Sequence, residues 1–428
     1  MSDTVLTNAA KPFRLPGRTE HAPSPAAAII LALMMYSLIR TFVVEFLASI
    51  DGLSAWVYAI WLAGLYTAMV YTGRTSRYRR IFFVASAILF FPAFMYNNFV
   101  DRGSITLSSA NIANSEAPFC HIVIPITMIS SVLSRAVIFP ARMSGHYASI
   151  YGMISLWLVA SLTLGRGWCS WVCFYGGWDE GSAKLGKKRV LNMDKAGPAV
   201  RYFGFSMLVF LALTGLATAT SVYCEWFCPF KLVTEFSPIT DIASYVATIA
   251  FILIFFSLAV VLPILTKKRV QCGAFCPFGA FQSLTNKINV YRIKIDQSKC
   301  KGCMACVRAC PTFSLRSVHI KEKAAEPGIG CTKCTDCIAA CTHGAITLEY
   351  SGSVPRGISA AFDSLRERLA RKTHIPARIG LEALNTVKDL LKPSSLFPFT
   401  AFTFGMIVTA PFAVRTLSLI KGLIMGGV

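Results

Sequence analysis

Residues 300–311 read CKGCMACVRACP, and residues 331–342 read CTKCTDCIAACT. Each run spaces its cysteines C-x2-C-x2-C-x3-C, with Pro311 closing the first and Thr342 the second. Three cysteines wrapped in one tight loop can cap three irons of a [4Fe–4S] cubane, while the fourth, one helical turn later, reaches a second cubane. This crossing assigns Cys300, Cys303, Cys306 and Cys341 to one cluster, and Cys331, Cys334, Cys337 and Cys310 to the other. Structural zinc also takes four thiolates, but two interlocked four-cysteine repeats favour clusters. Alternating apolar residues over 290–295 and 345–350 predict short strands that close the module.

Around this module the composition is that of a membrane protein. Of 428 residues, 54% are hydrophobic, and only 15% are charged, against about 25% in soluble domains. The net charge of +21 falls in short basic clusters between apolar stretches, where the positive-inside rule accounts for it without nucleic acid. Fifteen tightly spaced cysteines, with no pattern for a cleaved secretory leader, point to metal clusters instead of a disulfide framework.

Crossing a bilayer takes about 20 apolar helical residues. Stretches of that kind run over 25–48, 53–71, 81–100, 147–164, 202–222 and 242–265, with a seventh candidate over 397–414. The apolar run 122–140 is broken by Ser130, Ser131, Ser134 and Arg135 and is read as re-entrant or interfacial. The basic loops at Arg74–Arg80, Lys184–Arg189 and Lys267–Arg269 then share one side, the cytoplasm. The fold class expected is an α-helical polytopic membrane protein of about six to seven transmembrane helices with an inserted α+β, two-[4Fe–4S], ferredoxin-like domain. The expected divisions are a cytoplasmic tail (1–24), a transmembrane domain (25–270), the cytoplasmic cluster domain (271–352), amphipathic basic helices lying on the membrane or on the cluster domain (353–394), and a C-terminal membrane helix (395–428).

Three further cysteine pairs share a C-x3-C spacing: Cys169 and Cys173, Cys224 and Cys228, Cys272 and Cys276. At i and i+4 both sulfurs of a pair fall on one helix face. The first and third pairs lie at cytoplasmic ends of spans and can converge to four thiolates, enough for a further iron–sulfur or other metal centre. The second pair is expected alone on the outer side, with Cys120 and His121 as its possible neighbours. Disulfides outside and inert packed thiols inside are the alternatives. Arg40 and Glu45, in or near the first span, are candidates for quinone or proton work, or a mere ion pair. Neither a facing pair of membrane histidines nor a nucleotide-binding motif is present, so haem and nucleotide are not expected.

GRGWCSWVC (165–173) and CGAFCPFGAF (272–281), two spans apart and followed by the double cluster motif, resemble a family of polytopic iron–sulfur proteins. It includes NapH, the C-terminal half of NosR, and CcoG. The resemblance covers about half the chain, over 147–350, and departs at Phe174, where the family has proline, at the outer pair, and at three extra leading spans. It implies a protein of the prokaryotic inner membrane that relays electrons between quinol, or a cytoplasmic ferredoxin-like donor, and a periplasmic or membrane redox partner, as a quinol-dehydrogenase-like subunit. Cys169, Cys173, Cys272 and Cys276 match the family's membrane-edge cysteines. The rivals are a maturation factor that reduces a metal ion or a disulfide, and a redox-sensing regulator.

Overall fold

The structure is a computed structural model that describes residues 22–102, 126, 142–143, 146–147, 150–186, 188–193, 197–218, 222–230, 241–351, 364 and 375–426. Residues 1–21 of the expected tail (1–24), most of the run 122–140, and most of 353–374 lie outside the described residues.

The fold is mostly helical, and among the described residues four helices are long and apolar enough to cross a membrane: Pro25–Thr72, Thr75–Tyr96, Ile242–Thr266 and Pro393–Met425. The first is not straight. It comprises α1 (Pro25–Ile39), a π turn (Arg40–Glu45) and α2 (Phe46–Thr72), and its helical backbone breaks at Asp51 (φ −167°, ψ 113°). Tyr36 and Tyr71 would lie about 50 Å apart on a straight helix, yet both line one cavity, so the chain folds back at Asp51. The Asp51 carboxylate accepts from the Ser54 backbone N–H at 3.1 Å and so caps the returning arm. Gly73, at φ 63°, ends α2, and a Cβ there would meet the Ala22 backbone nitrogen at 2.8 Å.

The stretch expected to span over 147–164 is shorter than expected. α4 (Ile150–Thr163) has 14 residues, about 21 Å of helix, less than the hydrocarbon thickness. It stops because Gly165, at φ 54°, turns the chain left-handed beside Asn286. The helix expected over 202–222 is α6 (Gly197–Thr218), whose apolar part is Tyr202–Thr218.

α3 (Thr75–Arg102) is the central post, packing on the short helix α5 (Phe174–Leu185) and on the last helix, here labelled α10 (Pro393–Met425). Phe90 stacks on Phe174 at 3.5 Å, and Phe82 on Phe402 at 4.4 Å. Gly405 makes the second contact possible, since a Cβ there would fall 2.7 Å from the Trp171 carbonyl oxygen. Pro92 interrupts α3, and Thr416 on α10 repairs the gap: its hydroxyl donates to the Leu89 carbonyl at 2.6 Å and accepts from Ala93 N–H at 3.1 Å. Along α10, Phe397 packs against Tyr291 near one end and, near the other, the Lys421 ammonium is 2.5 Å from Asp51. The helix is therefore longer than the stretch 397–414 expected from hydropathy.

The cluster module follows α7 (Ile242–Phe255) and α8 (Pro277–Thr285). Its strands β1 (Tyr291–Ile295) and β2 (Ile346–Tyr350) pair antiparallel, with Tyr291 opposite Tyr350 and Ile295 opposite Ile346. The Tyr291 end of this ladder rests on α10, where Tyr291 packs edge-on to Phe397 at 5.1 Å. The amphipathic helix α9 (Ile375–Leu390) lies against α1, and its Asp389 accepts from the Ser24 backbone N–H at 3.1 Å.

Candidate metal and electron-transfer site

The two cysteine loops repeat one backbone shape. The second and fourth residues after the first cysteine of each loop have positive φ: Gly302 (68°) and Met304 (59°) in one, Lys333 (49°) and Thr335 (63°) in the other. Such alternation turns backbone N–H groups toward the loop interior, which favours anionic groups there. A short helix follows each loop, Ala305–Ala309 and Asp336–Ala339. The closing sulfurs then accept from backbone amides, Cys310 from Leu315 N–H at 3.4 Å and Cys341 from Ala345 N–H at 3.3 Å.

Cys300, Cys303, Cys306 and Cys341 line one small pocket floored by Ile295, Ile320 and Ile346. Burial pushes the Cys306 thiol up to about 11, and the neighbouring sulfurs of Cys341, Cys303 and Cys300 add to the rise. Cys337 is pushed well above the usual thiol range by burial, then by Cys334, Cys331 and Cys310. Four crowded sulfurs in low-dielectric surroundings repel one another as thiolates, and cationic iron relieves that repulsion, so the donor set fits a cluster. Thiolates round a single tetrahedral zinc would stand about 3.8 Å apart; among the described residues, no three His, Cys, Asp or Glu side chains converge on one ion.

The first and third C-x3-C pairs meet. Cys173 N–H donates to the Trp168 carbonyl at 3.1 Å and Cys276 N–H to the Gln271 carbonyl at 2.9 Å, both π-type turns. Each second cysteine is then extended (φ −70°, ψ 115° and 120°) and starts a helix, α5 or α8. Pro277 opens α8, while α5 opens on Phe174, whose ring is taken up by the stack on Phe90. The Cys272 thiol lies 4.0 Å from the Cys169 carbonyl oxygen, and its interaction with Cys169, together with the charges of Arg269 and Arg166, outweighs burial and draws Cys272 below the usual thiol range, while Cys169 is pushed up. The Arg269 guanidinium lies 3.1 Å from the Cys272 sulfur.

The second pair does not stand alone. Tyr223–Phe227 is a third π turn, followed by buried Cys228 in the same extended conformation (φ −73°, ψ 113°). The Tyr223 hydroxyl accepts from Gln271 Nε2 at 3.4 Å, next to Cys272, and Phe230 packs on Tyr175 at 4.3 Å. Aromatic packing among Phe91, Tyr175, Phe230 and Phe255 thus draws this segment towards the other pairs, correcting the expected isolation. Cys120, His121 and the Cys224 side chain lie outside the described residues. Arg40 and Glu45 form an exposed ion pair at 3.0 Å, and Arg40 lines a cavity of about 560 Å³ with Tyr36, Trp56 and Tyr71.

A set of polar residues that the sequence did not single out joins the second cysteine loop (331–341), the inner of the two, to these cysteine pairs. Arg166, fully buried, donates to the Gly330 carbonyl at 3.1 Å and the Cys272 carbonyl at 2.9 Å. Lys333 Nζ reaches the Leu164 carbonyl at 3.2 Å and Asn286 Oδ1 at 2.6 Å, and Trp171 Nε1 donates to the Lys333 carbonyl at 3.3 Å. Burial lowers the Lys333 ammonium to about 7, against the pull of Cys331 and Cys169.

Beside them Glu180 receives Arg79 through two bonds, 2.5 and 2.9 Å, with Arg80 at 3.2 Å and Arg269 at 3.7 Å. Arg79 and Arg80 also reach Asp336, within the second cysteine loop, at 3.4 and 3.2 Å. Burial alone would raise the Glu180 carboxyl, but Arg79, Arg269 and Arg80 outweigh it and hold it well below the usual range. Adjacent acids at Asp179 and Glu180, in a chain with 21 acids against 42 Lys and Arg, were the available signal.

A family model described as a 4Fe-4S binding domain matches residues 146–192, 200–237 and 248–296. Each of the three matched segments contains one C-x3-C pair. A second 4Fe-4S binding domain model matches 293–316. The chain is 26% identical over 51% of its length to a protein of Escherichia coli (strain K12) provisionally named electron transport protein YccM, covering 61% of that protein. It is 27% identical over 34% of its length to the methylamine utilization ferredoxin-type protein MauN of Methylobacillus flagellatus, covering 48% of it. A 52-residue stretch, 12% of the chain, is 38% identical to pyruvate synthase subunit PorD of Methanocaldococcus jannaschii, covering 56% of it. No solved structure matches. These similarities support an iron–sulfur electron-transfer family, with 4Fe-4S binding domains carried beside apolar helices that are compatible with membrane insertion.

Proposed function

We propose that this protein is a multi-pass electron-transfer subunit of the prokaryotic inner membrane. Its cytoplasmic module holds two [4Fe–4S] clusters, on Cys300, Cys303, Cys306 and Cys341 and on Cys331, Cys334, Cys337 and Cys310. A third centre takes Cys169, Cys173, Cys272 and Cys276, and the electron path continues towards a quinone or another membrane partner. The observation that carries this reading is the bonding of the inner cysteine loop, through Arg166, Lys333 and Trp171, to the segments bearing the paired cysteines. Cys303 is the exposed cysteine among the described residues, whereas Cys334, Cys337, Cys169 and Cys173 are buried. A bound cluster supplies one-electron redox chemistry; the chain's residues fix its place, exclude water and set its field.

The test is iron and acid-labile sulfide content, with EPR, on anaerobically purified protein and on a Cys169→Ser, Cys272→Ser variant. Three four-iron clusters give about twelve irons, falling to about eight in the variant. About eight in both would remove the third centre and favour the second reading, in which Cys169 and Cys272 form a dithiol that reduces a disulfide or metal ion. The Arg269 guanidinium, 3.1 Å from the Cys272 sulfur, favours that alternative.

Lys333 provides a further test. An anionic, thiolate-ligated cluster would keep the neighbouring ammonium protonated. Lys333→Met is then expected to make the inner cluster harder to reduce by on the order of 100 mV, the scale of removing one nearby positive charge at an effective dielectric constant near 20. A redox titration followed by EPR reads the shift, and an unchanged midpoint would disconnect this charge from the cluster.

A further inference from the structure

We infer that the face around Cys303 docks an acidic, water-soluble, one-electron carrier protein. The inference rests on the electron-transfer reading above and names the partner chemistry at its outermost point. Cys303 is exposed, whereas Cys306, in the same loop, is buried, so the shortest route from solvent into the clusters passes this loop.

The loop is rimmed by positive charge. From Asp296 to Lys323 the chain carries six Lys and Arg against two Asp and Glu. Lys299 is neutralised by Asp296 at 2.9 Å. Lys301, Arg308, Lys321 and Lys323 are all exposed, and none has an ion-pair partner among the described residues. Their placement follows from the fold. Lys301 itself lines the cluster pocket, Arg308 sits on the helix that carries Cys306, and Lys321 follows Ile320, which floors the pocket.

Unpaired basic residues could instead face anionic lipid, but the geometry disfavours it. Tyr291, at one end of β1, rests on Phe397 of α10, while Ile295, at the other end, lines the pocket. Four residue steps of strand separate them by about 13 Å. The pocket therefore stands away from the helix that the module rests upon, and a basic face there is placed for a partner arriving from water. Opposite charge raises the encounter rate and orients the complex, and both effects weaken with salt. In the complex one electron passes: the reduced carrier loses it and the outer cluster gains it, or the reverse.

The test uses full-length protein, purified anaerobically in lipid nanodiscs, and measures binding of an acidic plant-type [2Fe–2S] ferredoxin whose iron is replaced by gallium. The gallium form separates docking from matching of potentials. Binding at 50 mM NaCl is expected to weaken at least tenfold at 500 mM, and at least tenfold in the Lys301→Glu, Lys321→Glu, Lys323→Glu variant. Lys321→Glu, Lys323→Glu, which leaves the cysteine loop untouched, should weaken it at least threefold with unchanged cluster EPR. Absence of binding at 50 mM NaCl, or equal binding by both variants and the parent, would overturn the inference. So would a double variant that loses binding to phosphatidylglycerol vesicles while keeping it to the ferredoxin, since the face would then belong to lipid. Failure here with iron content and EPR intact removes only the docking face; a module without iron removes the electron-transfer reading itself.

Discussion

Glu180→Ala is expected to cost about 3–5 kcal/mol, the penalty typical of breaking a buried ion pair from one side. Arg79 and Arg269 have fully buried side chains and Arg80 a two-thirds buried one, and all three converge on the Glu180 carboxylate. Its loss would leave Asp336 as the acid nearest Arg79 and Arg80. Because Asp336 belongs to the inner cysteine loop, the damage should spread to the clusters. The expected result is a large fall in the thermal midpoint of detergent-solubilised protein, with iron lost alongside. Glu180→Gln, which keeps the shape and removes the charge, should fall between the two. An alanine variant as stable as the parent would show that water, and not Glu180, balances these cations.

The pH dependence follows from the same group. Its folded-state carboxyl titrates well below its ordinary value, which is near 4.3 when unfolded. Its contribution is therefore fully present above about pH 4.3 and is lost only as pH falls through the lower folded-state value. Between pH 5 and 9 the network should stay closed.

The second large effect tests the crossing of the cysteines. Cys310→Ser lies in the first run, yet it should empty the cluster shared with Cys331, Cys334 and Cys337; Cys341→Ser, in the second run, should empty the one at Cys300, Cys303 and Cys306. Each variant is expected to lose about four irons, or to leave a three-iron remnant visible by EPR. The surviving signal identifies which cluster went. A Cys310→Ser variant that lost the Cys300 cluster instead would mean that each run closes on itself. The side of the pocket occupied by Cys341, beside Cys300, Cys303 and Cys306, argues against that.

Much of the site was legible because its devices are local. The C-x2-C-x2-C-x3-C runs announce a loop and one helical turn, and strand alternation marked the pair Tyr291–Ile295 and Ile346–Tyr350. Other features were misjudged from hydropathy. The span expected at 147–164 shortened to Ile150–Thr163 because Gly165 turns the chain, and the last helix lengthened to Met425 because Lys421 is held by Asp51. Asp51 looked like a loop residue between two spans; its role as the cap of a fold-back appears only once Ser54 and Lys421 are placed round it.

By itself, then, the sequence determined which chemistry the chain is equipped for, because ligand spacing and apolar length act within one turn or one helix. Only the tertiary structure decided where that chemistry meets. Cys169 and Cys272 are 103 residues apart and Arg79 and Glu180 are 101 apart, so no local pattern links them. Arg74 and Arg79 are the same letter in the same basic cluster, one at the edge of the fold and the other fully buried. The difference is whether a carboxylate from a distant helix arrives to offset the loss of water, and that depends on how the aromatic faces of α3, α5 and α10 pack.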